Sequence, residues 1–168
     1  CIARFRDIVA APDVECLRDA VLAAARDFGF QAVYYLSPVS RDRTTGRLLT
    51  NQGFPESWSR QYRRRLRFID PLPDYAMTLM HVFRWGSVLK TLDLTPAQQR
   101  YHQLLEDVGM GDGLAMAVWG PGGRCGFIGF GMPVDDSAFR PQSYIGVGLI
   151  GQMSFNRYCS LIEEQAAG

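Results

Sequence analysis

Histidine, paired cysteines and long apolar runs are scarce or missing in this sequence of 168 residues, which has 2 histidines and 4 cysteines. No C-x-x-C pair occurs, which argues against a zinc ribbon and against a dense disulfide framework. No apolar run approaches the roughly 18 residues of a membrane helix, and the first residues, CIARFRD, lack the pattern of a signal peptide. We therefore predict a soluble, cytoplasmic protein with free thiols and no membrane partner. The cysteines are Cys1, Cys16, Cys125 and Cys159.

The motifs of common catalytic sites are also missing. The glycines of residues 109–113 do not form G-x-G-x-x-G, and no G-x-x-x-x-G-K-[ST] loop occurs, so no phosphate-binding loop is predicted. H-E-x-x-H is absent, and His81 and His102 fall on different predicted elements, which argues against a metal site. A pairing of Cys125 with His102 as nucleophile and base lacks a third group to orient the base. We expect no cofactor, no metal and no enzymatic activity.

The charge of the chain is nearly balanced, with 18 basic and 17 acidic residues and a formal net charge of +1. No global field therefore favours DNA, RNA or an anionic membrane as the partner. The length fits one domain that buries roughly two-thirds of the surface its unfolded chain exposes.

The spacing of apolar residues, together with the positions of proline and glycine, predicts helices that alternate with short strands. Several strands are joined by polar or Gly-rich turns, as in hairpins. This order favours an α+β fold whose sheet is largely antiparallel and carries helices on both faces. The predicted helices cover residues 14–28, 55–67, 74–80, 96–108 and 137–164, and the predicted strands cover residues 31–37, 48–51 (Leu48 to Asn51), 81–85 and two segments within 111–132.

The stretch FPESWSRQYRRRLRFIDPL, residues 54–72, combines aromatic residues with five arginines. On a helix that starts near Pro55, a period of 3.6 residues places Trp58, Tyr62 and Leu66 on one face and the arginines largely elsewhere. A basic face with interleaved aromatics is one signature of nucleic-acid binding, but here the aromatics lie on the opposite side. We therefore favour a solvated basic face over a nucleic-acid site.

Three polar groups are predicted to point inward from this stretch. Trp58 and Tyr62 carry N–H and O–H groups that find hydrogen-bond partners when they are buried. Asp70 lies between apolar Ile69 and Pro71, and a buried carboxylate is costly unless a donor meets it. These residues predict either a binding site for the polar head of a small amphipathic molecule or an ordinary internal hydrogen-bond network, and the spacing alone leaves both open.

The chain resembles the autoinducer-binding domain of LuxR-type quorum-sensing transcription regulators. The resemblance rests on P-E-S-W-x-x-x-Y with Trp58 and Tyr62, the Asp70-Pro71 pair, Trp85 at the end of HVFRW, and Gly113 before the Gly-rich hairpin. Their order agrees over nearly the whole chain. The resemblance implies an α/β/α sandwich around an antiparallel sheet of about five strands, with an N-acyl-homoserine lactone bound between the sheet and one helical layer.

The resemblance also implies the roles of individual residues. Trp58 would donate its indole N–H to the lactone carbonyl, Asp70 would accept the amide N–H of the ligand, and Tyr62 would line the acyl channel. Trp85 and Tyr101 would pack about the lactone ring. The other expected ligand-binding positions are Phe54, Gly129, Tyr34 and Leu72, while Pro71 and Gly113 are expected to serve the backbone.

Two positions depart from the family pattern. Phe54 stands where the family commonly has Tyr, and Gly129 stands where it commonly has Ser or Thr. Leaving the acyl carbonyl of the ligand buried without those donors costs about 1–3 kcal/mol, unless Tyr34, Tyr35, Ser37 or a water replaces them. The missing side chain at Gly129 also suggests room for a bulkier or aromatic acyl group.

We expect residues 1–163 to form the ligand-binding domain and residues 164–168 to begin a linker to a helix-turn-helix domain that is absent from this sequence. The start on Cys rather than Met suggests a piece of a longer protein. The expected partners are the lactone or a related small amphipathic signal and a second copy in a homodimer, with DNA reached only through the absent domain. Two alternatives remain open: a ligand-independent dimerisation module, and a naturally truncated antagonist that pairs with a full-length regulator.

Overall fold

The computed structural model describes residues 2–36 and 55–168. In the described residues, seven α-helices and four strands follow one another along the chain. Short 3-10 turns cover Leu66–Phe68, Pro121–Gly123 and Asp136–Phe139. The helices and strands are α1 (Ile2–Val9), α2 (Val14–Asp27), β1 (Phe30–Leu36), α3 (Glu56–Arg64), α4 (Leu72–Met77), β2 (Phe83–Arg84), α5 (Trp85–Leu89), α6 (Pro96–Asp107), β3 (Gly113–Trp119), β4 (Cys125–Pro133) and α7 (Pro141–Ala167).

Capping residues fix the starts of the two helices predicted with the clearest signals. The Asp13 side chain accepts a hydrogen bond of 2.8 Å from the backbone N–H of Cys16 at the start of α2. Thr95 and Gln98 form a capping box at the start of α6, with Pro96 in the first helical turn. Both predicted helices are confirmed.

The described strands form one antiparallel sheet in the order β1-β4-β3-β2. The β3–β4 hairpin turns at Gly122 and Gly123, whose φ angles of 68° and 76° favour glycine. The predicted antiparallel sheet is confirmed with four described strands instead of about five, and the predicted strand of residues 48–51 lies outside the described residues.

Several predicted boundaries differ from the structure. Only Phe83 and Arg84 of the predicted strand HVFRW pair with β3, because Trp85 begins the helix α5. The last helix begins at Pro141, and residues 136–139 form a 3-10 turn before it. Residues 164–167, which we expected to begin a linker, continue α7.

Helices cover both faces of the sheet and give the protein two separate hydrophobic cores. The alternation of side chains along each strand divides the sheet residues between them. On one face, α1, α2 and α7 pack against Val33, Tyr35, Leu114, Ile128 and Phe130; we call this the α7 core. On the other face, α3 to α6 pack against Tyr34, Ala115, Ala117 and Phe127. We call this the aromatic core. The expected α/β/α sandwich is confirmed.

No helix in residues 2–36 or 55–168 combines the length and apolar character needed to cross a membrane. Within the same residues, no group of three or more His, Cys, Asp or Glu side chains is arranged to hold a metal ion.

Candidate functional site

The aromatic core brings together most of the predicted site residues. Of the nine predicted ligand-binding residues, those on described elements lie within or beside it, between the sheet and the layer formed by α3 to α6. Aromatic rings supply much of its apolar surface, and Asp70 lies beside it as a buried carboxylate. The buried members are Tyr34, Trp58, Tyr62, Leu66, Leu72, Ala76, Phe83, Trp85, Leu89, Tyr101, Leu105, Met110, Ala115, Ala117 and Phe127.

Helix α3 supplies two of the rings. Trp58 and Tyr62 are four residues apart and thus share one face, where both are buried. Their rings lie 6.3 and 6.4 Å from that of Tyr101 on α6. Arg63 and Arg64 are exposed on the other side of the helix. The predicted division of α3 into an inward aromatic face and an outward basic face is confirmed.

Asp70 is the charged centre of the site, with only 7% of its surface exposed. The Tyr62 hydroxyl donates to Oδ2 at 2.7 Å, and the backbone N–H of Leu72 donates to Oδ1 at 2.9 Å. Pro71 has no N–H of its own, so the Leu72 N–H is the first donor available at the start of α4. The Tyr101 hydroxyl also interacts with the carboxylate. The chain itself therefore meets the predicted need of this carboxylate for donors.

Burial dominates the electrostatics of this network. Desolvation raises the pKa of Asp70 to about 6, although the hydrogen bonds from Leu72, Tyr62 and Tyr101 act in the opposite direction. Burial also raises the pKa of Tyr62 and of Tyr101 well above the usual value. At neutral pH the tyrosines are thus neutral donors, and Asp70 is an ionised acceptor that protonates only slightly below neutrality.

Trp85 is held as part of the framework. Its indole N–H donates to the backbone carbonyl of Met110 at 3.0 Å, so this group already has a partner. Its ring lies against Gly113, where a Cβ atom would collide with the ring and with the carbonyl of Phe130. Gly113 is therefore needed for close packing, which agrees with the expectation that it serves the backbone.

Tyr34 occupies the space that the sequence suggested was open at Gly129. The two residues are paired across β1 and β4. A Cβ atom on Gly129 would collide with Cε1 of the Tyr34 ring and lie 2.8 Å from Cδ1. The expectation that Gly129 leaves room for a bulkier acyl group was therefore wrong, because a neighbouring strand fills that room with an aromatic ring.

The other residues considered for the site divide clearly. Leu72 and Pro71 are buried beside Asp70. Tyr35, which we considered as a source of a hydroxyl, points into the α7 core and stacks near Phe155 at 6.3 Å, so that suggestion was wrong. Phe54 and Ser37 lie outside the described residues.

Sequence reasoning missed several members of the core. Phe127 lies two residues before Gly129 on β4, and the period-2 alternation of the strand was the signal that could have placed it on the same face. Met110 accepts the Trp85 hydrogen bond through its backbone carbonyl, a role that carries no side-chain signature.

A polar cleft of about 500 Å³ lies outside the aromatic core, bounded by α5, α6 and the turn before β3. Its charged walls include Arg84 and Asp112, which pair with each other through a 2.8 Å bond from Nε to Oδ2. Asp112 is thus neutralised by a cation, whereas the hydrogen-bond donors of Asp70 are neutral hydroxyls and a backbone N–H.

Small-molecule sites are lined mainly by apolar and aromatic side chains with a few polar groups, and the aromatic core with Asp70 beside it has this composition. The chain belongs to the autoinducer-binding domain family, whose model matches residues 13–155. This match confirms the resemblance to the signal-receptor domain of LuxR-type regulators. No curated protein matches the chain in sequence.

The solved structures that share the fold include two bacterial proteins. One is the N-acylhomoserine lactone dependent LuxR family transcription factor CepR2 from Burkholderia cenocepacia, with a TM-score of 0.69 and 17% identity over 98% of this chain and 95% of that one. The other is SdiA from Escherichia coli, with a TM-score of 0.65 and 16% identity. The match covers 95% of this chain but 65% of the SdiA chain.

Proposed function

We propose that this chain is the ligand-sensing domain of a quorum-sensing transcription regulator and binds an N-acyl-homoserine lactone or a related amphipathic signal in the aromatic core. The observation that carries the proposal is the buried Asp70 carboxylate, which accepts a hydrogen bond from Tyr62 at the aromatic core. Family membership supports the same conclusion.

The chemistry of these groups suits an amide-linked lactone. Asp70 is ionised at neutral pH and accepts the amide N–H of the ligand, while the Trp58 indole N–H donates to the lactone carbonyl. The rings of Tyr62, Trp85 and Tyr101 surround the head group, and their apolar faces contact the acyl chain. Each group in this proposal supports recognition, and none is required to act as a nucleophile or a base.

Binding is coupled to folding in this proposal. A ligand that binds only the folded state at a hundredfold excess over its Kd stabilises that state by about 2.7 kcal/mol. The stabilised domain forms a homodimer in the cytoplasm, and a helix-turn-helix domain of the intact regulator then reads the DNA. Linkage of this kind requires no catalytic step.

One observation favours an alternative function, a ligand-independent dimerisation module or an antagonist without a DNA-binding domain. The Asp70 carboxylate already accepts hydrogen bonds from Tyr62 and Leu72 of the chain itself. A carboxylate whose donors come from the chain itself needs no ligand to satisfy it.

Thermal unfolding separates the two functions. We expect a panel of N-acyl-homoserine lactones to raise the melting temperature of the protein purified from cells that make no signal. Asp70→Asn and Trp58→Phe each remove a hydrogen bond to the head group, so we expect them to weaken binding roughly ten- to hundredfold.

Arg64→Ala is the matched control, since Arg64 is exposed on the outer face of α3 and should leave lactone binding unchanged. A protein that melts at the same high temperature with and without every lactone would favour the dimerisation module. A larger loss of binding in Arg64→Ala than in either core variant would refute the proposed site.

A further inference from the structure

Among residues 30–35 of β1, Tyr34 is the side chain that joins the aromatic core. Its ring is 5.8 Å from that of Tyr62, 6.1 Å from that of Trp85 and 5.4 Å from that of Phe127. Only 3% of the residue is exposed. Tyr34 is therefore enclosed by rings from α3, α5 and β4.

The sheet surface beneath this ring is built from small residues. Ala115 on β3 pairs with Gly129 on β4, and Gly129 pairs in turn with Tyr34 on β1. Ala115 and Ala117 are also members of the aromatic core. A floor of alanine and glycine leaves depth between the sheet and the helices, and the Tyr34 ring is the group that takes up this depth over Gly129.

The same ring is connected to the polar end of the site. The Tyr34 hydroxyl interacts with that of Tyr101, which in turn interacts with the Asp70 carboxylate. Asp70 and Tyr34 thus belong to one network, and the position of the ring is fixed relative to the group that would hold the head of the ligand.

We propose that Tyr34 is the specificity-determining residue of the pocket, because its ring over Gly129 limits the length of the acyl group that the pocket accepts. This inference rests on the proposed function. The wild-type protein accordingly takes a signal with a short or compact acyl group and discriminates against long straight chains. A smaller side chain at position 34 opens the space above Gly129 and Ala115 to further methylenes.

Binding affinities for straight-chain N-acyl-homoserine lactones of short, medium and long acyl chains test the inference. We expect the wild-type protein to bind the short lactone best and Tyr34→Leu to prefer the longer ones. Each further methylene buried in the opened space should strengthen binding about fourfold. Tyr34→Phe keeps the ring and should keep the wild-type order.

Gly129→Ala should shorten the longest acyl chain that the pocket accepts, because its Cβ displaces the Tyr34 ring further into the pocket. We expect a stronger preference for the short lactone in this variant. It provides an independent test even where Tyr34→Leu does not fold. Tyr35→Leu is the matched control, since Tyr35 is an equally buried tyrosine on the same strand whose side chain enters the α7 core.

The outcomes separate this inference from the proposed function. If no lactone binds to or stabilises the wild-type protein or any variant, both the proposed function and this inference are overturned. If the wild-type protein binds lactones but Tyr34→Leu and Gly129→Ala show the wild-type order of affinities, the inference alone is overturned. A wild-type preference for the lactone with the long acyl chain also overturns it. A change of order in Tyr35→Leu as large as that in Tyr34→Leu also overturns it.

Discussion

Replacing Asp70 by Asn should remove a specific pH dependence from the stability of the ligand-free protein. Burial raises the pKa of this carboxyl to about 6 in the folded protein, whereas its ordinary value is 3.8. The folded state therefore holds the proton more tightly than the unfolded chain does. A carboxyl with a raised pKa stabilises the fold fully below pH 3.8, and this contribution is lost as the pH rises through 6.

The size of the effect follows from the difference between the two pKa values, which corresponds to about 3 kcal/mol. The three tyrosines that face Asp70 do not titrate in this range, because the pKa values of Tyr62, Tyr101 and Tyr34 are all raised well above 10.0. The neighbouring Asp74 contributes a repulsion that acts in the same direction as burial.

Urea unfolding at several pH values between about 4 and 7 measures this contribution. As the pH rises over that range, we expect the free energy of unfolding of the wild-type protein to fall by about 2.4 kcal/mol relative to that of Asp70→Asn. Asp74→Asn is the control, since that residue is exposed and should leave most of the pH dependence intact. A constant difference between wild type and Asp70→Asn across the pH range would refute the argument that desolvation dominates at this carboxyl.

Two further predictions concern the framework around the site. Gly113→Ala should destabilise the protein by roughly 1–3 kcal/mol in urea unfolding, because its Cβ collides with the Trp85 ring and the Phe130 carbonyl. Gly109→Ala is the control, since Gly109 has open space around it but a φ of +76°, so that this variant measures backbone strain without a collision. Equal losses of stability in the two variants would contradict the role of the collision. Trp85→Phe should cost about 1–3 kcal/mol in stability, because the Met110 carbonyl loses its donor, while a change within experimental error would show that the bond contributes little.

The inward face of α3 could be predicted from the sequence because it depends on local periodicity. Trp58 and Tyr62 are one helical turn apart, and the cost of burying the Asp70 carboxylate required donors close by. Two of its donors, Tyr62 and Leu72, are near in sequence, whereas Tyr101 comes from a distant helix. The helix periodicity and the two near donors are short-range, so the residues themselves carry the information.

The position of Tyr34 could not be predicted in the same way. Tyr34 and Tyr35 are chemically identical neighbours on one strand, and only the pairing of β1 with β4 decides which of them faces the aromatic core. The filling of the space at Gly129 is likewise a contact between residues far apart in the chain. Trp85 was assigned to a strand because HVFRW is rich in β-formers, but its packing against Gly113 places it at the start of a helix.

Because one sheet supports both hydrophobic cores, the two helical layers should unfold together. Adjacent residues of β1 serve opposite sides, so losing either helical layer exposes one apolar surface of the strands that support the other. Neither layer can melt alone without that cost, and heat should therefore unfold the domain in a single calorimetric transition. A signal molecule that tightens the interior on one side would then raise the melting temperature of α7 on the far side, without touching it.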